Sequence, residues 1–172
     1  MTKDRSEMIR VDQAGEFGAT RIYAGQLAVM GDRGPHSAEI RAMAEQERGH
    51  RAEFDALMAR RGVRPTVLQP LWNVAGYALG AGTALLGPEA AMACTAAVEQ
   101  EIDAHYSRQL DELERDGDDP ELAAMIDRFR DDEREHREAA LAHGAERAPG
   151  YPLLSAAIRL GCRAAIRLSE KI

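Results

Sequence analysis

Two short stretches, Glu47-Arg48-Gly49-His50 and Glu133-Arg134-Glu135-His136, read "ERGH" and "EREH" and lie 86 positions apart. A glutamate three residues before a histidine puts both side chains on one face of a helix. The neighbours say which face. Ile40, Met43, Glu47, His50, Phe54 and Leu57 step by three and four along one stripe, and so do Leu122, Ile126, Phe129, Glu133, His136 and Ala140. Each pair is embedded in an apolar stripe and points inward. A buried carboxylate is costly unless it is protonated, paired or bound to a cation, so the placement calls for a reason.

Two single glutamates fall on stripes of the same kind. Glu16 lies within "DQAGEFGATRIY", and Glu99 lies between Thr95 and Ile102. The chain then reads as two similar halves, Glu16 followed by Glu47 and His50, and Glu99 followed by Glu133 and His136. A four-helix bundle with one inward glutamate on each of two helices and an E-x-x-H on each of the other two is the di-iron carboxylate arrangement of ferritin-like proteins. Four carboxylates and two neutral imidazoles balance the charge of two ferrous ions, which makes the interior neutral when filled. Oxygen and imidazole donors without thiolates suit iron or manganese better than a structural zinc, although affinity alone does not exclude zinc.

The remaining sequence agrees with an all-α chain. Of 172 residues 30% are charged and only eight are aromatic, which favours helices with polar outer faces. Residues 1–172 read as one domain. Cys94 and Cys162 are far apart and form no C-x-x-C, which excludes a zinc ribbon and a disulfide framework and fits a reducing compartment. A net charge of −7 argues against nucleic acid as a partner. The opening "MTKDRSEMIRVDQ" lacks the apolar core of a signal peptide, which predicts a bacterial-type cytoplasmic location.

Helices are predicted from about Arg5 to Met30, from an N-cap at Ser37 to "RRG", from Glu89 to Leu113, from Pro120 onward, and across "YPLLSAAIRLGCRAAIRLSEKI". In the last, Arg159, Arg163, Arg167 and Lys171 recur every four residues beside Leu153, Leu154, Ile158 and Leu168, a basic amphipathic helix that suits either contact with anionic lipid or packing as an ordinary core or dimer helix. Between the second and third helices, Thr66 to Pro88 contains no charge. Pro70, Gly76, Gly80, Gly82 and Gly87 interrupt it, so it reads as a buried or membrane-facing helix and not as a span.

The stretches "MIRVDQAGEFGATRIYAGQLAV", "AMACTAAVEQEIDAHYSRQL", "RDDEREH" and "RAAIRLSEKI", in this order and spacing, resemble the demethoxyubiquinone hydroxylases of ubiquinone biosynthesis. The resemblance implies a ferritin-like di-iron monooxygenase that hydroxylates the ring of a polyprenylated demethoxyquinone. Its metal ligands would be Glu16, Glu47, His50, Glu99, Glu133 and His136, with His105 and Tyr106 close to the site. Gln13 stands where many relatives have histidine. The implied requirements are two iron ions, dioxygen, and electrons from NADH or from the quinol. The protein would be peripheral, on the cytoplasmic face of a bacterial cell membrane, since the substrate dissolves only in lipid. An accessory lipid-binding or reductase protein and a homo-oligomer stay open, as do two rival readings: a ferritin-like ferroxidase or peroxide reductase, and a non-enzymatic helical lipid-binding protein.

Overall fold

The computed structural model describes residues 5–171, so Met1–Asp4 of the opening stretch, and Ile172 at the end of the last helix, lie outside the described residues. Helix α1 spans Arg5–Met30, α2 Ser37–Arg61, α3 Gln69–Leu85, α4 Pro88–Asp116, α5 Pro120–Ala142 and α6 Tyr151–Lys171, with one 3₁₀ turn at Ala145–Arg147. Among the described residues there is no strand. Local chemistry sets most boundaries. Proline opens α3, α4 and α5, where a missing N–H costs nothing, and the Asp119 side chain accepts from the Leu122 N–H. Gly62 and Gly117 close α2 and α4 in the left-handed conformation. Ser37 is not the cap expected of it: His36 occupies that position at φ 64, and the buried Ser37 hydroxyl has no partner.

Helices α1, α2, α4 and α5 form the bundle. Contacts of Tyr23 with Glu99 and of Tyr106 with Glu16 show that α1 and α4 run antiparallel. The interior is layered. Tyr23, Ile40, Met43, Met92 and Ala140 fill one end, and Ile9, Phe54, Leu57, Leu113, Ile126 and Phe129 fill the other. The buried glutamates and histidines lie between these two apolar plugs, on helices held from both sides.

Helix α3 is uninterrupted, contrary to the reading of its glycines as breaks. Gly76 and Gly80 are contact points with α1. A Cβ on Gly80 would lie 1.9 Å from the Ile22 carbonyl oxygen, and one on Gly25 of α1 would lie 2.2 Å from that of Tyr77. Backbone meets backbone here, so only glycine fits. The outer face of α3 stays uncovered, with Leu71, Val74 and Leu85 exposed. No helix among the described residues is long and apolar enough to cross a membrane.

On α6 the basic stripe is divided. The Arg159 guanidinium donates to Glu101 of α4 at 2.6 Å and Arg163 lies 3.8 Å from the same carboxylate, while Arg167 and Lys171 are exposed. The apolar positions divide too: Ile158 is buried and Leu154 partly so, whereas Leu153, Leu160 and Leu168 face outward.

The close α1–α3 crossing gives a direct test. Gly80→Ala should destabilise the protein by about 1–3 kcal/mol through overpacking. Gly82→Ala, with open space around it, should stabilise by up to about 1 kcal/mol through helix propensity. Thermal melts of the two variants should move in opposite directions, and equal shifts would contradict the packing described.

Candidate metal centre

Helix spacing delivers the six predicted side chains to one place. Glu16 comes from α1, Glu47 and His50 from α2, Glu99 from α4, and Glu133 and His136 from α5, each at most 5% exposed. They form two overlapping sets, Glu16, Glu47, His50 and Glu133, and Glu47, Glu99, Glu133 and His136, whose donor atoms lie within 4.8 Å of one another. Glu47 and Glu133 belong to both. Such an arrangement would take two cations, each with one private glutamate and one histidine, bridged by two shared carboxylates.

The hydrogen bonds leave free the atoms that such a pair needs. Tyr23 of α1 donates to Glu99 Oε1 at 2.7 Å, and Tyr106 of α4 donates to Glu16 Oε1. His50 Nε2 meets Asp132 Oδ2 at 2.9 Å, and His136 Nε2 meets Gln46 Oε1 at 3.0 Å. With Nε2–H committed to these acceptors, Nδ1 of each ring points inward, free to give its lone pair to a cation that displaces any proton there. Phe129 stacks on the His50 ring at 4.0 Å. Eight of the sixteen buried side-chain atoms without a hydrogen-bond partner among the described residues belong to the cluster: Glu16 Oε2, Glu99 Oε2, both oxygens of Glu47 and of Glu133, and Nδ1 of His50 and of His136, the last 3.1 Å from Glu47 Oε1. Buried polar atoms are rarely left unpaired, and these eight supply four donors to each of two positions. The donor set fits divalent iron or manganese.

Electrostatics reflect how closely the carboxyls are crowded. Burial, then repulsion from Glu133, raises the Glu47 and Glu99 carboxyls well above the usual range, and burial also raises Glu133. Glu16 differs from these three: burial pushes its carboxyl up, but neighbouring groups, His50 first and Tyr106 among them, bring it below the ordinary value. Burial alone would lower His50, yet Glu133 and Glu16 outweigh it and raise the imidazole to about 11. Both phenols are raised by burial and nearby carboxylates, so they remain donors.

The two additional expected residues part company. Tyr106 reaches the cluster through Glu16. His105 does not; its Nε2 lies 3.1 Å from Asp12 Oδ1 and 2.9 Å from Gln109 Nε2, one layer away. Gln13 donates to Asp55 of α2 at 2.8 Å. Tyr23, Asp132 and Gln46 were missed by the sequence reading. A signal for them exists: Tyr23 follows Glu16 by the same seven residues as Tyr106 follows Glu99, and Gln46 and Asp132 each precede the glutamate of an E-x-x-H.

An apolar cavity of about 570 Å³ lies against the other side of the α1–α4 pair. Gly15 and Val98, the chain neighbours of Glu16 and Glu99, form part of its wall, and Trp72 of α3 and Cys162 of α6 also line it. Burial raises the Cys162 thiol to about 12, so it stays protonated.

A family model described as ubiquinone biosynthesis protein COQ7 matches residues 3–169. The chain is 56% identical to 3-demethoxyubiquinol 3-hydroxylase of Rhodospirillum rubrum, over 95% of this chain and 76% of that protein. It is 54% identical to the human NADPH-dependent 3-demethoxyubiquinone 3-hydroxylase, mitochondrial, over 96% and 76%. With the Saccharomyces cerevisiae 5-demethoxyubiquinone hydroxylase, mitochondrial, it shares 45% identity over 96% and 77%.

The metal-free protein should lose stability as pH rises from about 5 to 8. Glu47, Glu99 and Glu133, raised above 4.5 on folding, stabilise fully below that value and progressively less as pH climbs through their folded values. The His50 contribution likewise falls away between 6.5 and about 11. Glu16, lowered, loses its contribution only in acid below 4.5. Each displaced group costs up to about 1.4 kcal/mol per pH unit. Melting of chelator-treated protein should show this fall, and Glu99→Gln should flatten it; a flat wild-type profile would be inconsistent with a shared buried cluster.

Proposed function

The chain belongs to the ubiquinone biosynthesis protein COQ7 family, and from that membership we propose that it hydroxylates the ring of a polyprenylated demethoxyquinone, or its quinol, at a pair of iron ions. The eight unpartnered donor atoms beside a large apolar cavity carry the reading. The reaction breaks a ring C–H bond, places one atom of dioxygen on that carbon and releases the other as water, consuming two electrons and two protons. A bound iron pair supplies the two-electron chemistry with dioxygen. The electrons come from a nicotinamide nucleotide or from a quinol; the human relative's name includes NADPH.

The protein's share is positioning and exclusion of water. Glu16, Glu47, His50, Glu99, Glu133 and His136 hold the metals. Tyr23 and Tyr106 fix the terminal carboxylates by donating to one oxygen of each, leaving the other for a cation. The cavity receives the ring and the first part of the prenyl tail, and its glycine and alanine walls keep room for both. A ferroxidase has no use for such a cavity.

The same substrate implies lipid contact. Leu71, Val74 and Leu85 on α3 and Leu153, Leu160 and Leu168 on α6, the two outer helices that help line the cavity, are exposed. This face seats the protein peripherally on a bilayer, with Arg167 and Lys171 toward anionic headgroups, and the prenyl tail enters between α3 and α6.

Anaerobic ferrous titration should saturate near two ions per chain, and His50→Ala or His136→Ala should lower that number. A strain lacking the protein should accumulate the demethoxyquinone. Unchanged saturation in both variants would refute the ligand assignment, and an unchanged quinone profile would refute the substrate. Leu71→Asp with Val74→Asp should abolish most co-sedimentation with anionic phospholipid vesicles while helicity is retained; undiminished binding would remove α3 from the membrane contact.

A further inference from the structure

The surroundings of the cluster are nearly twofold symmetric. Tyr23 and Tyr106 cross between α1 and α4 to the opposite glutamate. One layer further out, Gln109 of α4 donates to Asp12 at 2.9 Å, and Gln26 of α1 lies 3.4 Å from Thr95 Oγ1. Each imidazole is backed by the residue before the glutamate on the facing helix. That last correspondence breaks in chemistry. His50 Nε2–H faces the Asp132 carboxylate at 2.9 Å, and His136 Nε2–H faces the Gln46 amide oxygen at 3.0 Å.

A carboxylate accepts a hydrogen bond more strongly than an amide and draws the proton further from the ring, which leaves more electron density at Nδ1 for a cation. It also carries a negative charge where the neutral Gln46 carries none. We propose that the two cation positions are inequivalent, the Glu16/His50 position being the tighter and the first to fill because Asp132 backs His50 where the neutral Gln46 backs His136. The inference rests on the reading of the cluster as a two-cation site. Asp132 is a positioning residue: it acts through His50 and does not face the cations.

The test isolates each position. In chelator-stripped full-length protein, His136→Ala keeps the Glu16/His50 position and His50→Ala keeps the Glu99/His136 position. Titration with Co²⁺, followed by its visible absorption and by calorimetry, should give tighter binding to His136→Ala by at least about tenfold. Asp132→Asn should weaken Co²⁺ binding by about 10–100-fold in the His136→Ala background, and much less in His50→Ala. Gln46→Glu should tighten binding in His50→Ala, an effect that a merely structural role would not produce and that decides the question if Asp132→Asn fails to fold. Equal affinities in the two single variants, an equal loss on Asp132→Asn in both backgrounds, or no gain from Gln46→Glu would overturn the inequivalence alone. No Co²⁺ binding by the unaltered protein would overturn the two-cation reading itself.

Discussion

Four carboxylates share the centre of this bundle, out of reach of water, and their mutual repulsion is the constraint to which the rest of the structure answers. An interior charge of that size is costly unless protons or cations neutralise it. Burial and mutual repulsion raise the Glu47, Glu99 and Glu133 carboxyls, which favours protons there until a cation takes their place. Helices anchored on both sides of the polar layer by closely packed apolar plugs keep the carboxylates from moving apart. Folding energy from the two plugs is thus spent on holding donor atoms together.

The internal duplication explains how so few residues control the cluster. Single glutamates on α1 and α4 are each steadied by a tyrosine from the other helix, and the E-x-x-H histidines of α2 and α5 are each steadied by a residue of the facing helix. Every such contact crosses the bundle, so the arrangement exists only when both halves are packed. Departures from the repeat fall around the Glu16 side: Asp12 with His105 stands where the other half has Thr95 and Ile22, and Asp132 stands where the other has Gln46. Symmetry provides the cage, and its exceptions differentiate the two ends.

Helices α3 and α6 divide their faces between two tasks. On α3, glycines bring the backbone against α1 and leave the far side apolar and exposed. On α6, Arg159 and Arg163 secure the helix to Glu101 of α4, while Leu153 and Leu160 project outward. The cavity lies between these helices and the bundle, lined by glycine, alanine and aliphatic side chains. The apolar cavity and the polar Glu/His cluster thereby lie against the two faces of one helix layer.

By itself the sequence determined the helices and the inward set. Period and punctuation are local properties, so the stripes through Glu47 and His50 and through Glu133 and His136 were legible, and proline and glycine marked most helix ends. The six residues were legible because burying a carboxylate on an apolar stripe needs a reason that few chemistries supply. Only tertiary structure decided the rest. The glycines of α3 read as interruptions because their partner, the α1 backbone, is distant in the chain. The basic stripe of α6 read as one surface because Glu101 lies 58 positions from Arg159. The lowered Glu16 and the separation of His105 from the cluster depend on which side chains meet across the bundle. Such contacts join residues far apart in the chain and are set by helix packing, which periodicity along one helix does not encode.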